Sequence, residues 1–208
     1  MPKPVQRIWK CQCGDVQLRL TGEPILNLRC HCHSCVACAR YIDEKYNHNG
    51  TSMIHSCGGG VCASPYAAGQ VKVLTPLSTS DPSSDGDTTS SKLKFVRVGE
   101  NGRIWRSYTT CCGTQLANMA KPGMIVLNRN AIYNQDGTKY EPREIPLNIN
   151  KKHAFDPDSV PKPSHDVAPP SVAFKFVKNI ANPFGARFKD VPELFPAVDA
   201  VEVMPVSW

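Results

Sequence analysis

A mainly β domain is what the sequence predicts, and three observations carry that expectation. Val16, Leu18 and Leu20 alternate with Gln17 and Arg19, the period of a half-buried strand. Residues 93–98 and 104–108 are two strand-like runs on either side of Glu100-Asn101-Gly102, the pattern of a hairpin. Ten cysteines fall in close-spaced sets, where bound metal would tie short strands together.

The other elements follow in chain order. Pro24 interrupts the first pattern, and residues 25–28 read as a second short strand leading into Cys30. Alanines and long side chains favour a short helix over 34–46, directly after a cysteine cluster. Gly58-Gly59-Gly60 breaks any regular element. Residues 71–74 and 124–127 are further strand candidates, with a turn at Asp136-Gly137. Residues 78–92 are polar and of low complexity, so they are expected to form a flexible insertion.

These patterns place a metal-binding domain over residues 1–150 and an extension over 151–208. The extension carries nine of the 18 prolines and is expected to be largely irregular. Phe174, Val177, Ala181 and Phe184 fall on one helical face, with Pro183 limiting the helix. That stripe is expected to dock on the domain, rather than on a partner or a membrane surface.

Composition narrows the class. A chain of 208 residues with 41% hydrophobic content supports one modest core. No run of about 18 apolar residues occurs, so no membrane span is expected. The opening residues MPKPVQRIWKCQCG hold no apolar signal stretch, so a reducing compartment, cytoplasm or nucleus, is expected. There, closely spaced cysteines point to metal rather than to disulfides.

The net charge of +6 is confined to residues 1–150, with 17 basic and 11 acidic side chains; residues 151–208 hold seven of each. Lys92, Lys94, Arg97, Arg103 and Arg106 cluster in sequence. They read either as a solvated sheet face or as attraction for an anionic ligand. A pI near 8.8 falls short of a dedicated nucleic-acid binder, so a small molecule is the expected partner.

The cysteines form two sets. Cys30-His-Cys32-His-Ser-Cys35 puts three thiols within six residues, able to converge on one ion where the backbone turns sharply. Three protein ligands with an open fourth position are the pattern of catalytic zinc. A closed structural site is the competing reading, with Cys38, Cys57, Cys62, His31 or His33 as the fourth ligand. The second set is Cys11-Gln-Cys13-Gly14 with Cys111-Cys112-Gly113-Thr114. Ligands about a hundred residues apart would tie an early strand to a late hairpin, so this ion would be structural. Adjacent cysteines strain a tetrahedral site, which puts Cys112 ahead of Cys111 as the ligand.

CQCGDVQLRLTGEP, then CHCHSC, then CCGTQL resembles the glutathione-dependent formaldehyde-activating enzyme family, which includes centromere protein V. The match covers about residues 9–127. The resemblance implies a zinc-bearing β-tent of small antiparallel sheets. It implies Cys11, Cys13 and Cys112 as structural zinc ligands and Cys30, Cys32 and Cys35 as ligands of a second, catalytic zinc. It also implies glutathione as co-substrate. The sequence departs from the family pattern at Thr109, where the family has a cysteine that Cys111 replaces in shifted geometry. It departs again at Val36, in the 78–92 insertion and in the extension.

The expected function is thus a zinc-dependent carbon–sulfur lyase, or a related enzyme acting on a small molecule, glutathione adducts included. One alternative is a recruited zinc enzyme catalysing elimination, isomerisation or hydrolysis. Another is a non-enzymatic zinc domain that binds a protein or nucleic acid. His31 or His33 would move protons in the enzyme readings; the competing reading is a solvated side chain or one that supports the ligands from behind.

Overall fold

The computed structural model describes residues 4–46, 50–55, 59–80, 89–120, 124–154, 156–180, 194 and 201–204. The protein is mainly β. A four-stranded antiparallel sheet joins β1 (Gln6–Lys10), β2 (Gln17–Thr21), β5 (Val71–Val73) and β12 (Ile132–Asn134) in the order β12-β1-β2-β5. The larger sheet joins β3 (Leu28–Cys30), β4 (Val61–Ala67), β8 (Leu93–Val98), β9 (Trp105–Thr109), β10 (Gln115–Ala120), β11 (Met124–Asn128), β13 (Leu147–Ile149) and β14 (Val201–Met204). Its order is β13-β3-β4-β11-β10-β9-β8-β14.

This sheet is longer than the small antiparallel sheets expected. Its middle is antiparallel, and its two outer pairs, β13–β3 and β14–β8, are parallel. Both outer strands come from late in the chain and cover an edge that would otherwise expose unpaired backbone groups.

β4 runs through the middle of this sheet although it contains Pro65. The Pro65 carbonyl accepts from Ile25 N on the β3 side, at 2.8 Å. Backbone N and C=O of one strand residue face the same side, so the proline nitrogen faces the region beyond the end of β3. No bond to β11 is lost there.

The two sheets share a core of Trp9, Leu18, Leu20, Tyr66, Leu116, Ile125 and Leu127, among others. Each such fully buried side chain contributes roughly 1.5–3 kcal/mol. The helix α1 (His33–Tyr46) covers the other face of the larger sheet. Its Val36 and Ala39 pack with Leu28, Val61 and Ile149, and its Ala37, Tyr41 and Ile42 with Val96, Tyr108 and Met204.

The 78–92 segment is more structured than expected at its ends. β6 (Ser78–Ser80) pairs with β7 (Thr89–Ser91), while 81–88 lie outside the described residues. In the extension, α2 spans Pro170–Ile180. It docks by Val172, buried, and by Phe176 against the core beneath α1. Phe174 and Val177 of the expected stripe are instead 68% and 61% exposed. The helix begins at Pro170, and Val172 and Phe176 are one turn apart on its docking face. Ala181 and Phe184 lie outside the described residues.

Candidate metal centres

The first centre forms where two hairpin turns meet, one from each sheet. After β1 the chain turns through Gly14 (φ 84°), with Gly14 N bonded to Cys11 O and Cys11 N to Val16 O. Between β9 and β10 it turns through Gly113 (φ 71°), whose N–H donates to Thr109 O. A left-handed glycine behind each cysteine pair lets both turns reverse tightly.

These turns bring Cys11, Cys13, Cys111 and Cys112 together, all four sulfurs within 4.8 Å of one another. Sγ separations are 3.4 Å for Cys11–Cys13, 3.8 Å for Cys11–Cys111, 3.2 Å for Cys13–Cys111 and 3.9 Å for Cys111–Cys112. A tetrahedron with zinc–sulfur bonds of 2.3 Å has edges of about 3.8 Å. The donor set therefore fits a four-thiolate zinc site, and it holds both Cys111 and Cys112. The Val16 N–H donates to Cys11 Sγ at 3.3 Å, and Cys112 Sγ lies 3.2 Å from Thr114 Oγ1 and 3.5 Å from Thr109 Oγ1. Burial pushes the Cys112 thiol up, but hydrogen bonds from Thr114, the Cys13 amide and Thr109 outweigh it and bring it to about 6. Buried Thr109 thus stands beside the ligands as a hydrogen-bonding partner.

The second centre lies at the junction of β3 and α1. Cys30 ends the strand, and a turn closed by Cys35 N to Cys32 O at 3.0 Å folds Cys32 and Cys35 back toward it. The three sulfurs lie within 4.8 Å of one another, with Cys30 and Cys32 at 3.4 Å. Among the described residues, no fourth His, Cys, Asp or Glu joins this group.

The proposed fourth ligands are accounted for in turn. Cys38 is fully buried in the core between α1 and β8–β9. Cys62 is fully buried on β4, beside Arg29 and Arg129. His31 is buried and holds Asn148 Oδ1 through Nε2 at 3.1 Å, its ring against Gly60, where a Cβ would come within 2.5 Å. His33 opens α1 outside the cysteine group. Cys57 lies outside the described residues.

Positive potential favours thiolates at this centre. The trio sits at the N-terminus of α1, the positive end of its dipole. Arg106, 3% exposed, donates to Ser34 Oγ at 2.7 Å and to Ile104 O at 3.3 Å. Hydrogen bonds from Cys30 and Cys32, followed by the charge of Arg106, hold Cys35 well below the usual thiol range. Asn150, in the left-handed region at φ 59°, donates its Nδ2 to Cys30 Sγ at 3.3 Å.

Two cavities open nearby. One, of about 270 Å³, is walled by His31, Val36, Arg40, Gly59, Asp156 and Ser159. His31 and Val36 are the sequence neighbours of the three cysteines. The other, of about 780 Å³, lies on the opposite face of β3. Of the five clustered cations, none lines either cavity. Arg106 serves the Cys35 side of the second centre, and Lys92 reaches Asp15 at 4.0 Å.

Asn150, Thr114 and the role of Arg106 were beyond sequence reasoning. Asn150 meets Cys30 across 120 positions, and no spacing rule connects them. A search of family models finds no match to the sequence, and none is found among curated proteins.

Proposed function

We propose that the protein is a zinc enzyme of the carbon–sulfur lyase type, joining or separating a thiol and a small carbonyl compound at the Cys30–Cys32–Cys35 centre. The observation that carries this reading is a convergent trio of cysteines with no fourth side-chain ligand among the described residues. Structural zinc is usually closed by four protein ligands, as the other centre provides, whereas catalytic zinc keeps a position for water or substrate. The order and spacing of the three cysteine motifs, similar to the formaldehyde-activating family, support the same reading and suggest glutathione as the thiol.

Zinc bound there would supply Lewis acidity toward a carbonyl or hold a thiol as thiolate. The chain's own groups prepare the site. Arg106 and the start of α1 offset the charge of three thiolates. Asn150 fixes the direction of Cys30 through its sulfur. His31, tied to Asn148, holds the strand-to-helix turn beside Gly60 and walls the small cavity. That cavity, about 270 Å³, suits a compound of few atoms. In the synthetic direction, a carbon–sulfur bond forms as the carbonyl π bond opens, and the thiol proton ends on the new hydroxyl oxygen.

The test uses zinc-loaded full-length protein, glutathione and a panel of small aldehydes, with hemithioacetal formation followed above its spontaneous rate. Cys32→Ser should stay folded, lose about one metal per chain and lose the activity. Wild-type protein with two metals but no zinc-dependent turnover or thiol binding would overturn the reading.

A further inference from the structure

The larger cavity is unused by the reading above, and its chemistry is distinct. It lies behind β3. Leu28 and Cys30 of that strand face α1, and Arg29, between them, faces the other way into the cleft. Arg29 and Arg129 both reach the Cys62 thiol, which burial holds above its ordinary range. Arg129 is 5% exposed, and its Nη1 donates to Leu28 O at 3.3 Å. The Arg29 Nε is buried with no hydrogen-bond partner. The ion pairs among the described residues, Arg7–Glu23, Lys45–Glu202 and Lys92–Asp15, include neither guanidinium.

Arg129, buried, and Arg29, half-buried, meet at one thiol with no carboxylate in ion-pair contact, and they repel each other in a poorly screened environment. Burial is the first cause lowering Arg129 and Arg29 adds to it, against the opposing pull of Cys62 and of the Glu141 charge. Lys139 and Arg143 line the same cleft, so four cations face Glu141 and Glu144. Lys139, Arg143 and both glutamates are exposed, whereas Arg29 is half-buried and Arg129 buried. The cleft's positive end is therefore its floor. At about 780 Å³ it has the size of a metabolite site.

We infer that this cleft is a second binding site, which takes a small oxyanion-bearing metabolite with its phosphate or carboxylate group on Arg29 and Arg129. Guanidinium forks match both oxyanions, often in bidentate fashion. An anion at the floor would relieve the repulsion between the two arginines. The concave shape favours a small molecule over a polymer. Because the cleft and the cysteine trio lie on opposite faces of β3, binding here does not require metal at the trio.

The experiment is calorimetry on the full, zinc-loaded chain with glycerol 3-phosphate and with glutarate, metal content being checked before and after. Saturable binding of either probe is expected; the tighter one identifies the oxyanion. Arg29→Gln should weaken it at least tenfold. Arg143→Gln, at the exposed rim, should weaken it severalfold without risk to the fold. Lys72→Gln, an exposed cation elsewhere, should leave it unchanged, and so should Cys32→Ser. Absence of saturable binding by both probes, or equal affinity in the wild type, Arg29→Gln and Arg143→Gln, would overturn the inference. Preference for duplex nucleic acid over both small probes would overturn it as well.

Discussion

Cys11 and Cys111, a hundred residues apart in the chain, hold their sulfurs 3.8 Å apart. One belongs to the β1–β2 turn of the small sheet, the other to the β9–β10 turn of the large one. A metal shared by these turns would clip the two sheets together at one end of their common core. Binding free energy is then folding free energy, because the unfolded chain does not preform the site.

Cys13→Ser and Cys111→Ser should therefore both be strongly destabilised or insoluble, with similar losses of melting temperature. Equal loss is the informative part, since it counts Cys111 as a full ligand beside Cys112. A Cys111→Ser protein with wild-type melting temperature and metal content would show that three cysteines suffice.

The docking face of α2 gives a second prediction. Val172 is 3% exposed and Phe174 68% exposed. Val172→Ala should cost about 1–2 kcal/mol, the loss of roughly two buried methylene equivalents. Phe174→Ser should stay within about 0.5 kcal/mol of wild type, as surface changes do. Urea denaturation of both variants decides the matter; the reverse ranking would mean that the helix docks by its other face.

What the sequence made legible, and what it hid, follows from how each feature is encoded. Closely spaced cysteines at glycine-bearing turns are a common pattern of metal sites, so both candidate centres could be read from spacing and glycines. The β8–β9 hairpin was legible because its runs flank a turn. β4 was not. It is buried at all seven positions, and with Pro65 in it no period of two survives. In α2, Phe174 and Val177 satisfy helical spacing as Val172 and Phe176 do; only the packing partner decides which apolar face is buried. Arg106 reaches its cysteine from β9 and Asn150 from the residue after β13, and polar partners that distant in sequence leave no periodic trace.

The last strand is held by a carboxylate, which makes its contribution depend on pH. Glu202 on β14 accepts from Tyr46 Oη at 2.6 Å and also from Tyr41 and Lys45 of α1. Burial pushes the Glu202 carboxyl up, but hydrogen bonds from Lys45, Tyr41 and Tyr46 outweigh it and hold it below the usual range. A carboxyl whose folded value is depressed stabilises the fold above its unfolded value. That contribution is fully present at neutral pH. It fades as pH falls below about 4.5 and through the folded value. Glu202→Gln should lower stability at pH 7 and flatten its acid dependence. An unchanged acid profile in that variant would assign the acid loss to other carboxylates.

Arg106 offers the sharpest test of how the trio is held. Its guanidinium ties β9 to Ser34 in the first turn of α1, and its charge acts on Cys35. Three thiolates on one divalent ion leave a net negative centre, and Arg106 is the buried cation placed to offset it. Partners behind the ligands typically govern about 10–100-fold in metal affinity. Arg106→Gln should therefore weaken zinc at the trio by roughly that factor, read by competition with a chromophoric chelator. The four-cysteine centre, on separate turns, should keep its zinc, so metal content should fall from two per chain toward one. Arg106→Lys restores the charge without the planar fork and should recover only part of the affinity. A gross loss of structure is separated from this effect by the near-ultraviolet circular dichroism spectrum of the zinc-saturated variant. A folded Arg106→Gln protein binding both zinc ions as tightly as wild type would show that Arg106 only braces the helix start.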